Sequence, residues 1–128
     1  MLSGAEDDGG PYRASVTRPD LLVVQSAADT CNAARASGRL YHDIGQNNKW
    51  FLELLRAHHL PPYDGADLAA FTVVSGVTTR FLQRALEPWA NSNFVTFGAS
   101  QPTVAQIFHA GPGPSIEPLK GPPHCGVN

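Results

Sequence analysis

Residues 64–89 read DGADLAAFTVVSGVTTRFLQRALEPW, and this stretch decides the fold that the sequence predicts. Its apolar residues recur three or four positions apart, which is the spacing of one helix face. They include Ala70, Val74, Val77, Phe81 and Ala85. Asp64 and Asp67 place hydrogen-bond acceptors and negative charge at the start, where a helix has free amide groups. Pro88 restricts the residue before it to non-helical geometry, so we predict a long central helix over residues 65–87.

A strand is the competing interpretation for part of this segment. Residues 71–77 contain several β-branched side chains, which are poor helix formers. The helical spacing continues without interruption through Leu86, however, and this continuity favours the helix.

Two more helices are predicted on the N-terminal side. After a capping signal at residues 17–20, apolar residues keep helical spacing, so we predict a helix over residues 18–37 that stops at Gly38. Residues 21–24 by themselves also suit a strand, but the alanines that follow favour the helix. A further helix is predicted over residues 47–59, because its apolar residues again lie three or four positions apart.

The C-terminal part is predicted to add a minor strand at residues 94–97 and a short helix near residues 101–109. The predicted fold class is therefore all-α, as a small orthogonal bundle of three to four helices. We expect a single helical domain over residues 14–110, with a disordered acidic arm at residues 1–13. Residues 111–128 are rich in proline and glycine and are predicted to form an extended tail.

The overall composition argues against several classes of function. The formal net charge of −2 is too small to indicate binding to nucleic acid or to a membrane surface. No apolar run approaches the ~20 residues that span a bilayer, and the acidic N-terminus is unlike a secretory signal. We therefore expect an intracellular, cytoplasmic protein. Its two cysteines, Cys31 and Cys125, are interpreted as free thiols, with a disulfide between them as the alternative.

No charged residue stands between Glu87 and Glu117, although a solvated segment of that length normally carries several charges. The segment is therefore either packed inside the domain or covered by another chain. Aromatic residues are enriched in the cores of protein interfaces, and we expect four of them to anchor a partner. They are Trp89, Phe94, Phe97 and Phe108. We predict a non-catalytic structural subunit that associates with itself or with a larger complex and needs no cofactor.

The alternative function is a small binding module or an enzyme that uses a histidine pocket, which would also be the place for a metal ion. Its candidate residues are His42, His58, His59 and Asp64. Their spacing gives little support for a metal, because the adjacent His58 and His59 point about 100° apart on a helix.

Arg80 and Arg84 form a weaker candidate site. The two arginines lie four positions apart on the predicted central helix, so their side chains project together. Such a pair can bind a phosphate or a carboxylate. The ordinary interpretation is that they form the solvated side of the helix.

Overall fold

The computed structural model describes residues 20–32, 34–59, 61–87, 89 and 93–115. The elements follow one another along the chain as β1 Leu21–Ser26, α1 Ala34–Asp43, β2 Lys49–Leu54, α2 Pro61–Asp64, α3 Leu68–Leu86, α4 Phe94–Ala99 and β3 Ala105–His109. The three strands form one mixed sheet, so the chain has an α/β fold. The predicted all-α class and the orthogonal helical bundle are therefore wrong.

The sheet has the strand order β1-β2-β3, with β2 in the middle. β1 runs parallel to β2, in a register that pairs Leu21 with Lys49 and Ser26 with Leu54. β3 runs antiparallel to β2. Neighbouring parallel strands need a crossover connection, and α1 forms part of the one that joins β1 to β2.

Alternate residues of each strand point to opposite faces of the sheet, and the two faces pack against different helices. The larger core lies on one face, where Leu22 and Trp50 pack with buried residues of α3 and α4. These are Ala70, Val73, Val74, Val77, Phe81 and Phe94. On the other face, Val23 and Phe51 pack against Tyr41 of α1. The sheet therefore lies between α1 on one side and α3 with α4 on the other.

The predicted central helix is confirmed as α3, and the strand alternative is excluded. The helix begins at Asp67, whose side chain accepts a hydrogen bond from the amide three positions further on. Asp64, the expected cap, instead accepts from the amide of Ala66 in the turn before the helix. Glu87 ends the helix with φ −130° and ψ 75°, which is outside the helical region, and the proline that follows was expected to exclude that region.

The two helices predicted on the N-terminal side are wrong. Residues 18–37 contain β1 and only the start of α1, and residues 47–59 contain β2. Gly38, the expected helix end, lies inside α1. Short apolar runs fit a buried strand and a helix face equally well, so periodicity does not separate the two. Backbone pairing decides here, because β2 is paired along both edges and is buried except at Glu53.

The order of strand and helix predicted for the C-terminal part is reversed. Residues 94–97, predicted as a strand, belong to α4, which Asn93 caps by accepting a hydrogen bond from the amide of Thr96. The predicted helix near residues 101–109 is replaced by β3, which pairs with β2. Pairing across the sheet therefore outweighs the local helical pattern in this segment.

A buried lysine fixes the end of α1 against the sheet. Nζ of Lys49 donates hydrogen bonds to the backbone carbonyls of Tyr41 and Ile44, both at 2.7 Å. The last carbonyls of a helix have no partner within the helix, and a cation suits the negative end of its dipole. Burial lowers the pKa of Lys49, because it disfavours the charged ammonium. The first residue of β2 thus locks the crossover helix in place.

Cys31 is disulfide-bonded, so its interpretation as a free thiol is wrong. Cys125, the other cysteine of the sequence, lies outside the described residues. The predicted arm at residues 1–13 and the predicted tail beyond residue 115 also lie outside them. None of the helices in the described residues combines the length and the apolar composition of a membrane-spanning segment.

Candidate functional site

The two parallel strands end at one edge of the sheet, and from there the chain turns to opposite faces. After β1 the chain enters α1 on one face, and after β2 it continues through α2 to α3 on the other. In α/β proteins, ligand sites are commonly found at the carboxyl ends of strands whose following loops diverge in this way. Residues 27–32 and 55–59 are the described parts of the two loops.

An aspartate and a histidine face each other across this edge. Nδ1 of His59 lies 2.9 Å from Oδ2 of Asp29. The side chain of Asp29 is 6% exposed, whereas that of His59 is 35% exposed. An ionised carboxylate only accepts hydrogen bonds, so we assign the ring proton to Nδ1. This assignment leaves the free electron pair of the ring on Nε2.

The carboxylate of Asp29 is also held by the backbone of its own loop. Its Oδ1 accepts the amide hydrogens of Cys31 at 2.8 Å and of Asn32 at 2.9 Å, as aspartates in turns commonly do. Nδ2 of Asn32 also lies 3.1 Å from Nδ1 of His59, but with the ring proton on Nδ1 this contact joins two donors and is not a hydrogen bond. The two carboxylate oxygens therefore have different partners. Oδ1 binds the backbone of the β1–α1 loop, and Oδ2 orients the ring of His59.

A row of polar side chains crosses the sheet near the same edge, on the face that α1 covers. Gln25, Glu53 and Gln106 are paired in register across the three strands. Gln25 is buried, and its Oε1 accepts a hydrogen bond of 2.7 Å from Oγ of Ser37 in α1. Burial raises the pKa of Glu53, because removing a carboxylate from water disfavours its charged form. This face is therefore polar next to the loops that follow β1 and β2, whereas its middle, at Val23 and Phe51, is apolar.

The residues of the predicted histidine pocket are distributed over separate parts of the fold. His42 pairs at the surface with the next residue, Asp64 caps the turn before α3, and His58 is exposed. No group of three or more His, Cys, Asp or Glu side chains among the described residues is placed to hold a metal ion. His59 is the member of the set that contacts a buried carboxylate, that of Asp29.

Arg80 and Arg84 are turned toward aromatic rings. The guanidinium of Arg80 lies 4.1 Å from the centre of the Phe97 ring. That of Arg84 lies 5.2 Å from the centre of the Trp50 ring, and its Nε is 3.9 Å from Oδ2 of Asp20. Both cations are therefore engaged by groups of the chain itself, through cation–π contacts and an ion pair. This geometry gives no support to the predicted anion site.

The four aromatic residues predicted at an interface occupy different environments. Phe94 is 1% exposed and packs in the core against Trp50. Phe97 and Phe108 are half-buried, in the cores on opposite faces of the sheet. Trp89 is 83% exposed. Packing inside the domain therefore explains why part of the segment between Glu87 and Glu117 carries no charge. Trp89 is the member of the set that is accessible to a partner.

The side of α3 that points away from the core is uncharged. We call this surface the outer face of α3, and all of its residues are exposed. They are Leu68, Phe71, Thr72, Ser75, Thr79, Leu82, Gln83 and Leu86. A surface helix ordinarily carries charged residues opposite its buried side, so the outer face is unusual for a helix in water.

Asp29 was not among the predicted site residues, because it fell inside a predicted helix. The signal that marks it is its place shortly after the apolar run at residues 21–24, as His59 follows the run at residues 50–52. In α/β folds, ligands are usually bound by residues just after the carboxyl ends of the strands. Comparison with known protein families, with curated protein sequences and with solved structures found no match.

Proposed function

We propose that the chain supplies the acid–base pair of a hydrolytic site, in which His59 is the general base and Asp29 orients it. The contact of 2.9 Å between Nδ1 of His59 and Oδ2 of Asp29 carries the proposal. A histidine base needs one ring nitrogen fixed by a hydrogen bond and the other accessible to the group that loses a proton. The buried carboxylate and the partly exposed ring suit these two requirements.

In the proposed reaction, Nε2 of His59 takes a proton from a water molecule or a hydroxyl group while the oxygen of that group attacks an acyl carbonyl carbon. The carbonyl electron pair moves onto its oxygen and returns when the bond to the leaving group breaks. The imidazolium then gives its proton to the leaving group, so His59 ends in its starting state. If the attacking group is a hydroxyl of the chain, a water molecule then attacks the acyl group by the same two proton transfers, which releases the acid and restores the hydroxyl. Asp29 remains ionised throughout and stabilises the positively charged ring between the two steps.

The placement of the two residues favours acyl hydrolysis over other uses of a histidine base. The acid follows one parallel strand, and the histidine follows the next strand along the chain and in the sheet. The α/β-hydrolase arrangement places its acid and its histidine in this same order after the nucleophilic serine. The analogy concerns only the positions of the two residues after their strands, because a fold by itself does not determine function. The proposal allows either a water molecule or a hydroxyl group as the nucleophile.

Hydrolysis of activated esters tests the proposal. The chain is assayed with p-nitrophenyl acetate and p-nitrophenyl butyrate, and a fluorophosphonate probe followed by peptide mass spectrometry locates an activated serine. His59→Ala and Asp29→Asn are each expected to lower the enzymatic rate by on the order of 10²–10⁴-fold. Asp29→Asn separates chemistry from folding. Its Oδ1 keeps both backbone hydrogen bonds, while the amide nitrogen in place of Oδ2 cannot accept from Nδ1.

His42→Ala is the matched control. It also removes a histidine that contacts an aspartate, but in that pair the two side chains are 75% and 63% exposed. This variant is expected to keep the wild-type rate. Added imidazole is expected to restore part of the rate of His59→Ala, which it would not do if the histidine merely tied two loops together. Absence of ester hydrolysis by the wild-type chain, or equal losses in His42→Ala and His59→Ala, would refute the proposal.

A further inference from the structure

We propose that the outer face of α3 is the contact surface of a symmetric homodimer, in which the α3 helices of two copies pack antiparallel. The inference is independent of the hydrolytic site. Its tests measure association and not catalysis, so either proposal can fail without the other.

The outer face exposes more apolar surface than a solvated helix ordinarily does. Leu68, Leu82 and Leu86 are 70%, 45% and 75% exposed. The hydroxyl groups of Thr72 and Ser75 make the outer face only slightly more polar. Both donate hydrogen bonds to backbone carbonyls of α3 itself, at 2.7 Å and 3.2 Å. An exposed helix face with this composition is typical of a surface that another protein surface covers.

The pattern of residue sizes along the outer face is self-complementary. Leu68 and Phe71 lie at its start, Leu82 and Leu86 lie at its end, and small hydroxyl residues lie between them. In an antiparallel pair, Leu68 of one copy faces Leu86 of the other, and the small residues meet where the two helices come closest. A surface that fits itself about a two-fold axis is the requirement for a symmetric dimer.

Charge also favours a second copy as the occupant. The outer face contains no charged residue, so pairing it with itself brings no like charges together. A strongly charged partner would lose hydration there without gaining a counter-charge. The antiparallel arrangement further sets the positive end of one helix dipole beside the negative end of the other.

The size of the surface sets the expected strength of the dimer. α3 has 19 residues, which corresponds to about 28 Å of helix. One helix of this length on each copy, with exposed Trp89 just beyond its end, is a small contact surface, and interfaces that bury less than about 1,200 Å² are typically weak or transient. We therefore expect a dimer that dissociates on dilution through the micromolar range.

Light scattering behind a sizing column tests association at a series of concentrations. The wild-type chain is expected to approach twice the mass of one chain as concentration rises. The double variant Leu82→Glu, Leu86→Glu is expected to remain monomeric, because it would bring four carboxylates into an apolar contact. Ala69→Glu is the control, since Ala69 is exposed on α3 but lies off the outer face. Circular dichroism confirms that each variant is folded.

Cross-linking between two mixed variants tests the antiparallel geometry. Leu68→Cys and Leu86→Cys chains are mixed and joined with a short thiol cross-linker, and peptide mass spectrometry identifies the joined positions. Mixed pairs of residues 68 and 86 are expected to predominate. Predominant 68–68 and 86–86 pairs would overturn the antiparallel arrangement. The outer face of α3 would be refuted as the dimer contact if the wild-type chain stayed monomeric at high concentration. It would also be refuted if dimers persisted in the double glutamate variant.

Discussion

Replacing Gly76 by alanine perturbs the closest approach between α3 and α4. Gly76 lies in the interior of α3, where alanine is preferred over glycine by about 1 kcal/mol if nothing else touches the position. Here, however, an added β-carbon would overlap Cε1 and Cζ of the Phe97 ring in α4. The alanine therefore fits only if the ring moves.

The surroundings of the ring set the magnitude of the effect. The Arg80 guanidinium lies 4.1 Å from the centre of the Phe97 ring and donates to the carbonyl of Gly76 at 3.1 Å. Overpacking of this kind costs about 1–3 kcal/mol, and weakening the cation–π contact costs about 0.5–1 kcal/mol more. After subtracting the gain in helix propensity, we expect Gly76→Ala to lower the free energy of unfolding by about 0.5–3 kcal/mol.

Urea unfolding followed by circular dichroism measures this change, and Phe97→Ala completes a double-mutant cycle. Without the ring, Gly76→Ala is expected to raise the free energy of unfolding by about 1 kcal/mol, so the two changes are strongly non-additive. Ser75→Ala is the control at an exposed neighbouring position and is expected to change stability by about 0.5 kcal/mol or less. If Gly76→Ala stabilised the chain equally with and without the Phe97 ring, the close approach of the two helices would be refuted.

Three further predictions concern polar residues on the α1 side of the sheet. Lys49→Met is expected to lower the free energy of unfolding by about 2–4 kcal/mol, because carbonyls at the end of α1 lose their donor; urea unfolding checks this. Burial raises the pKa of Glu53 in the folded chain, so the stability associated with its protonated form is lost as pH rises through that pKa. Glu53→Gln is therefore expected to melt at a higher temperature than the wild type near neutral pH, and at the same temperature below about pH 4, where glutamate is protonated even in the unfolded chain. Ser37→Ala is expected to cost about 1–2 kcal/mol, since Oε1 of buried Gln25 loses a donor at 2.7 Å, and an unchanged melting temperature would contradict that hydrogen bond.

The signals that identify α3 are local, and for that reason the sequence by itself determines this helix. Its apolar spacing, the acids before it and the proline after it all act within a few residues of the backbone they shape. Two features of the helix depended on the surrounding structure. One is that Asp67 caps the helix and Asp64 does not, and the other is the direction in which Arg80 and Arg84 point.

The strands depend on partners that are distant along the chain. The runs that form β1 and β2 are short and apolar, and such runs suit either a buried strand or one face of a helix. β2 became a strand because β1 and β3 supply hydrogen-bond partners along both of its edges. The weakly patterned β3 depends on the same pairing, while the strand-like residues of α4 follow the cap at Asn93.

The candidate site shows the same division between local and tertiary information. The sequence identified His59 as a titratable candidate, but its acid, Asp29, lies 30 positions earlier in the chain. The two meet because β1 and β2 are parallel neighbours whose carboxyl ends lie at one edge of the sheet. Likewise, the apolar spacing of α3 was visible in the sequence, while packing against the sheet decided which residues of the helix are buried and which form the outer face. Residue spacing along one element can be read locally, whereas contacts between elements exist only after the chain has packed.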